Sequence, residues 1–226
     1  MNTNKKTAIT VGVLFLTAIV TSLLGGGLLG SILNSPDFIT NISSNKSTIF
    51  IGVSAEIING IAVIGIAVML FPILKQFKES SALGYVGFRI LESFFCIISA
   101  IIPLSLITLS EEYLKSGTSP ATYFQTLGNL LITVRSNLAE LLIPLFFSLG
   151  ALLFYSLLYK TTLIPRFVSV WGFIGVVLVL SSIFIEAAII INMIFVLPII
   201  LNEIFLGIWL IVKGFNPLAI ARLFSK

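Results

Sequence analysis

Residues 82–109 have the sequence ALGYVGFRILESFFCIISAIIPLSLITL, in which only Arg89 and Glu92 are charged. An α-helix needs about 20 apolar residues to cross the hydrocarbon core of a bilayer. This segment is therefore long enough to span a membrane. Because a charge within hydrocarbon is costly without a partner, such residues normally face other helices or a watery cavity. The segment predicts a transmembrane helix whose two charged residues point into a helix bundle.

The composition of the whole chain agrees with this prediction. Of its 226 residues, 58% are hydrophobic and 10% are charged, whereas soluble domains carry about 25% charged residues. The mean hydropathy is +1.14. We predict one all-α domain over residues 1–226, a polytopic transmembrane helix bundle with no separate soluble domain. Its six spans are expected at about 7–33, 48–74, 82–109, 134–159, 167–190 and 193–212.

The distribution of lysine and arginine predicts the orientation of the bundle. Nine basic residues fall on one side of the predicted spans, and Lys46 and Lys115 fall on the other. Cytoplasmic loops are enriched in these residues, so we expect both termini in the cytoplasm and a multi-pass protein of the inner (cytoplasmic) membrane. The nine are Lys5, Lys6, Lys75, Lys78, Lys160, Arg166, Lys213, Arg222 and Lys226.

The partners expected from these features are the lipid bilayer and a small molecule or ion. The net charge of +4 does not indicate nucleic acid, because the basic residues are dispersed at helix ends rather than clustered on one face. The oligomeric state is not predicted by any feature of the sequence.

Polar residues recur at helical spacing in four of the predicted spans, so each set shares one face of its helix. Faces this narrow on apolar helices are expected to converge on the bundle axis. Span one contributes only threonines, and span five contributes Glu186 near its outer end. The four sets are Glu56 and Asn59; Tyr85, Arg89, Glu92, Cys96 and Ser99; Thr133, Asn137, Glu140, Pro144 and Ser148; and Asn202, Glu203 and Gly207.

The depths of the charged residues predict two layers. With a rise of about 1.5 Å per residue, Glu92 and Glu203 both lie about 15 Å from the cytoplasmic ends of their helices. Glu56, Glu140 and Glu186 lie roughly 28 to 30 Å up by the same measure, with Arg135 slightly beyond. We therefore expect a midplane cluster of Arg89, Glu92 and Glu203 beneath an outer acidic layer.

Several kinds of chemistry are excluded by residues that the chain lacks. It has no histidine, one cysteine (Cys96) and one aspartate (Asp37). Histidine-ligated metals and Ser-His or Cys-His nucleophilic pairs are therefore impossible within this chain. An intramolecular disulfide and an intramembrane aspartate dyad are equally excluded. We predict no catalytic residue, no metal site and no cofactor.

Three stretches carry a resemblance that spans nearly the whole chain. They are Phe88-Arg89; LIPR at 163–166 followed by Gly172 and Gly175; and Glu203 followed by WLIVKGF at 209–215. They resemble the third, fifth and last spans of the bacterial integral membrane family catalogued as domain of unknown function 4386. Glu56 matches an acidic position of that family, whereas Glu92 stands where the family often has glutamine. The resemblance implies that Arg89 and Glu203 form the characteristic pair, and it implies no activity.

Three hypotheses about function follow. The first is binding or transport of a small molecule or ion around the buried charges, with Asn59 and Asn137 beside the charged residues. The second is a non-catalytic membrane partner or assembly protein in which the charges are structural. The third is a membrane-embedded enzyme. A site predicts a water-accessible cavity at the cluster, whereas a partner protein predicts a dry, fully paired ion bridge and an exposed face of small residues.

Overall fold

The computed structural model describes residues 3–116, 121–185 and 189–225. Within these ranges the chain forms helices and connecting turns and has no strand, which confirms the all-α prediction. The elements in chain order are α1 (Thr3–Leu33), α2 (Phe38–Ser44), α3 (Lys46–Ser116), α4 (Ala121–Asn137), a π-helical turn (Leu138–Leu142), α5 (Ile143–Thr161), α6 (Arg166–Ser182), α7 (Ile189–Val212) and α8 (Pro217–Phe224).

Helix α3 is a hairpin of two arms. Its backbone is extended at Lys78, with φ −155° and ψ 102°, inside the charged turn that the sequence predicts between spans two and three. The first arm (46–77) and the second arm (79–116) fold back on each other and run antiparallel. The contact between them is seen at Ser93, whose hydroxyl donates to the Gly60 carbonyl at 2.8 Å. Each arm is longer than the roughly 20 residues needed to cross a bilayer.

Lys46 and Glu111 join the two arms of α3 at the end far from Lys78. Their side chains form an ion pair at 2.5 Å outside the predicted spans. The hydrogen bond and the positive charge of Lys46 lower the pKa of the Glu111 carboxyl.

Among the described residues, four helical stretches are long and apolar enough to cross a membrane, judged by length and composition. They are Asn4–Leu33, Lys46–Ser116, Thr122–Thr161 and Ile194–Val212, and the second of them contains both arms of the hairpin. Helix α6 is apolar but has only 17 residues. It ends at Ser182, earlier than the predicted limit near residue 190, and hydroxyls in its last turn bond back to helix carbonyls.

The long helices pack in a closed ring. Helix α1 contacts α3 and α7, α7 contacts α6, α6 contacts α5, and α5 returns to α3. Glycines allow the closest approaches: a Cβ on Gly12 would lie 2.5 Å from the Gly207 carbonyl oxygen, and a Cβ on Gly172 would lie 2.2 Å from the ring of Tyr155. Small residues of this kind let helix backbones come close together.

Two short helices that the sequence did not predict lie at opposite ends of the ring. Helix α8 packs against α3, and the residue that caps its start, Asn216, donates its backbone N–H to the Leu163 carbonyl at 2.9 Å. At the opposite end, α2 buries Phe38 and Ile42, and the Ser110 hydroxyl donates to the carbonyl of Ile39. The α8 end also holds the Lys78 turn and the start of α1, so most of the predicted cytoplasmic basic residues share it.

Candidate functional site

A cavity of about 870 Å³ lies inside the ring of helices. Its walls come from α1, both arms of α3, the π turn, α5, α6 and α7, and most of the lining side chains are apolar. Eight of the described polar or charged residues also line it: Ser22, Asn59, Arg89, Glu92, Cys96, Glu140, Ser182 and Glu203.

Arg89 and Glu92 form the tightest pair in this cavity. Both lie on the second arm of α3, one turn apart, and are 2% and 5% exposed. Arg89 Nη1 donates to Glu92 Oε2 at 2.9 Å and to Oε1 at 3.1 Å. The guanidinium also lies 5.6 Å from the ring centroid of Tyr85 and 5.2 Å from that of Phe147, distances at which a cation is attracted to an aromatic face. These contacts hold Arg89 in place.

Glu203 approaches the same guanidinium from α7 but is held more loosely. Its Oε1 lies 3.7 Å from Arg89 Nη2, and its side chain is 15% exposed. That distance is longer than a hydrogen bond. The structure thus brings Arg89, Glu92 and Glu203 together, and its tight pair is Arg89 with Glu92 rather than the pair that the family resemblance implies.

Glu56, which was expected in the outer acidic layer, is not an unpaired acidic group, because Arg135 neutralises it. Its carboxylate is paired in a bidentate manner with Arg135, through Nη2 to Oε1 at 2.6 Å and Nη1 to Oε2 at 3.0 Å. Arg135 Nη1 also donates to the Ser99 carbonyl at 2.5 Å. The pair joins α4 to both arms of α3 and lies outside the cavity lining. Depth along single helices placed Arg135 close to the level of Glu56, but it could not show that the two side chains pair.

The π turn at 138–142 breaks the polar face predicted for span four. Such a turn inserts a residue, which rotates the preceding helix by about 100° relative to the following one. Glu140 and Pro144 line the cavity and Ser148 is buried. Asn137, one residue before the π turn, is exposed and lies outside the lining. Glu186, expected in the same outer layer, lies outside the described residues.

Asn202 belongs to a separate polar network, although it is adjacent to Glu203 in sequence. Its Oδ1 accepts from the Tyr155 hydroxyl at 2.7 Å, and its Nδ2 donates to the Val168 carbonyl at 2.9 Å. Successive helical residues point about 100° apart, so Glu203 faces the cavity while Asn202 joins α7 to α5 and α6. Phe147, whose ring faces the Arg89 guanidinium, was not among the predicted residues; its signal in the sequence is its position one turn after Pro144.

Charged side chains of both signs line the cavity, and those that the structure describes do not form a metal site. In the described ranges, no group of three acidic or cysteine residues is arranged to hold a metal ion. Arg89 Nε makes no hydrogen bond there and is buried away from the cavity surface, so the loosely paired polar group at the floor of the cavity is the carboxylate of Glu203. Such a floor can bind a polar group, and the apolar walls can surround the rest of a small molecule.

Comparison with known proteins places the chain in one family. The profile of the family described as Domain of unknown function (DUF4386) matches residues 10–214. The chain therefore belongs to this family, as its resemblance predicted. Comparisons with curated proteins and with solved structures found no significant match.

Proposed function

We propose that this member of the DUF4386 family binds a small molecule or ion in the cavity around Arg89, Glu92 and Glu203. The observation that carries the proposal is the cavity itself, which borders the charged cluster and has a volume of about 870 Å³. Ligand sites in proteins commonly measure about 300 to 1,000 Å³, with mainly apolar walls and a few polar groups. A cluster that only joined helices would be expected to be dry and fully paired.

The proposal includes a chain that crosses the membrane six times, with both termini in the cytoplasm. The six spans would be α1, the two arms of α3, the continuous helix through the π turn into α5, α6 and α7. Helix α6 is the shortest of these, and its 17 residues meet the lower limit of about 17 for a span. Most of the predicted cytoplasmic basic residues lie at the α8 end among the described residues, and the positive-inside rule favours the cytoplasm for that end.

The same orientation directs the cavity toward the outer side of the membrane. At the end of the cavity away from α8, its lining includes exposed side chains such as Leu23, Glu140 and Ile185. Ligand would then enter from outside and meet the charged cluster near the midplane.

A second candidate function is a membrane partner or assembly protein, and one observation favours it. A Cβ on Gly26 or Gly27 would meet nothing within 4 Å. The neighbouring Leu23 and Leu24 are exposed as well. This face of α1 could pack against another transmembrane helix, because small residues allow close approach.

Cysteine labelling distinguishes the two functions. In a Cys96→Ser background, Val63→Cys places a thiol in the cavity lining, and Leu70→Cys places one two turns further along the same face, outside the lining. A membrane-impermeant maleimide added from outside is expected to label Val63→Cys and not Leu70→Cys. If neither position is labelled, the cluster is a dry ion bridge, and the partner function replaces the binding function.

The orientation has its own test with the same reagent. Thr40→Cys, on α2, is expected to react in intact cells, whereas Glu79→Cys, beside the Lys78 turn, is expected to react only after permeabilisation. Both side chains are exposed, so burial does not hinder either reaction. The reverse pattern would show that both termini are outside.

A further inference from the structure

We propose that the ligand of the cavity is a monovalent organic cation with an apolar body, and that its cationic group binds the carboxylate of Glu203. This inference rests on the proposed function, since it requires that the cavity be a binding site.

The charges at the floor of the cavity indicate that the ligand carries one positive charge. Arg89 and Glu92 neutralise each other through hydrogen bonds at 2.9 and 3.1 Å. Glu203 makes only the 3.7 Å contact with Arg89, so the cluster carries one net negative charge when all three groups are ionised. An ionised carboxylate removed from water is costly unless it has a positive partner. A ligand with one positive charge supplies that partner.

The walls of the cavity indicate the rest of the ligand. They are formed largely by apolar side chains, among them Phe15, Val63, Ile143, Val179 and Ile199. A volume of about 870 Å³ is far larger than a single water molecule occupies, about 30 Å³ in the liquid. A small inorganic cation would leave most of this space to water against apolar walls, whereas an organic cation covers them.

The remaining charges argue against other ligand classes. Glu140 lines the same cavity, so an anion would meet like charges at both Glu140 and Glu203. The Arg135 charge outside the lining is already neutralised by Glu56. A divalent metal ion favours several oxygen ligands, but the guanidinium of Arg89 lies beside both carboxylates of the cluster. Of these ligand classes, a monovalent organic cation is the one that the charged residues of the cavity repel least.

The experiment compares four probes with the same phenylethyl body and different charge. They are 2-phenylethylammonium, 2-phenylethanol, 3-phenylpropionate and the zwitterion phenylalanine. Each is tested for protection of Val63→Cys from the maleimide in the Cys96→Ser background. The expected result is that 2-phenylethylammonium protects at a concentration at least tenfold lower than any of the other three.

Variants then test whether Glu203 is the residue responsible for the preference for 2-phenylethylammonium. Glu203→Gln is expected to reduce the tenfold preference for the cation to about onefold while leaving protection by 2-phenylethanol unchanged. Glu203→Asp keeps the charge but shortens the side chain, so it is expected to weaken protection by 2-phenylethylammonium and not by the other probes. It replaces Glu203→Gln in this test if that variant does not fold. Glu112→Gln, which removes an exposed carboxylate outside the cavity, should retain the full preference.

Each other outcome overturns a specific claim. If Val63→Cys is labelled but no probe protects it, or if the alcohol, the anion or phenylalanine protects as well as the cation, the ligand class is wrong while the accessible cavity stands. A preference for the cation that survives Glu203→Gln overturns the assigned residue. If Val63→Cys is never labelled, the proposed function itself fails.

Discussion

Replacing Glu92 or Glu203 by glutamine, alone and together with Arg89→Met, should separate the tight half of the buried cluster from the loose half. For each carboxylate, the parent, the two single variants and the double variant form a double-mutant cycle, which isolates the interaction of that carboxylate with Arg89. The structure predicts that Glu92 is coupled to Arg89 more strongly than Glu203 is.

The size of the difference follows from the distances. Glu92 accepts hydrogen bonds at 2.9 and 3.1 Å from one nitrogen, Nη1 of Arg89, so we count them together as a single charge-assisted bond. Such a bond contributes about 1.5 to 3 kcal/mol. Glu203, at 3.7 Å, forms none. The coupling energy of Arg89 with Glu92 should therefore exceed that of Arg89 with Glu203 by about 1.5 to 3 kcal/mol.

Reversible unfolding in mixed detergent micelles measures these energies. Titration with sodium dodecyl sulfate can be followed by the fluorescence of Trp171 and Trp209, whose rings lie about 6 Å from that of Phe205 and would separate on unfolding. Equal coupling energies, or a larger value for Glu203, would refute the conclusion that Glu203 is the carboxylate left available to a ligand.

Two further predictions concern packing and the second ion pair, and the same unfolding titration tests both. Gly172→Ala places a Cβ 2.2 Å from a buried tyrosine ring and should lower the free energy of unfolding by about 1 to 3 kcal/mol. Its control, Gly26→Ala, meets no atom within 4 Å and should cause no loss; equal effects would contradict the packing argument. Glu56→Gln leaves Arg135 without its carboxylate, and since the two side chains are 15% and 13% exposed, we expect a loss of about 2 to 3 kcal/mol, below that of a fully buried pair. A loss under 0.5 kcal/mol, typical of surface pairs, would mean that solvent screens this pair.

The charged cluster shows how far single-helix reasoning extends. Arg89 and Glu92 are three residues apart, and their hydrogen bonds lie within one helix. Any helix over this segment places the two residues on one face, so their proximity is a local property. Glu203 lies on α7, and its distance to Arg89 depends on how two helices are positioned, which no local pattern specifies.

The π turn shows where helical periodicity misleads. The face drawn through Asn137, Glu140 and Ser148 assumes an unbroken α-helix, but the inserted residue changes the register across the π turn by about 100°. No glycine occupies residues 138–142, and the nearest proline is Pro144. The register change is therefore invisible to a count of helical spacing.

Composition and local spacing by themselves determined that the chain is helical and strongly apolar, with apolar segments interrupted by basic turns. They also identified the few charged side chains that need partners, since burial of a charge within an apolar segment is costly wherever its helix packs. Only the tertiary structure decided which charges pair, as for Arg135 and Glu56, 79 residues apart, and that the loosely held Glu203 borders a cavity. The physical reason is that pairing and cavity shape depend on the rotation and crossing of whole helices, whereas the sequence pattern reports only the face of each one.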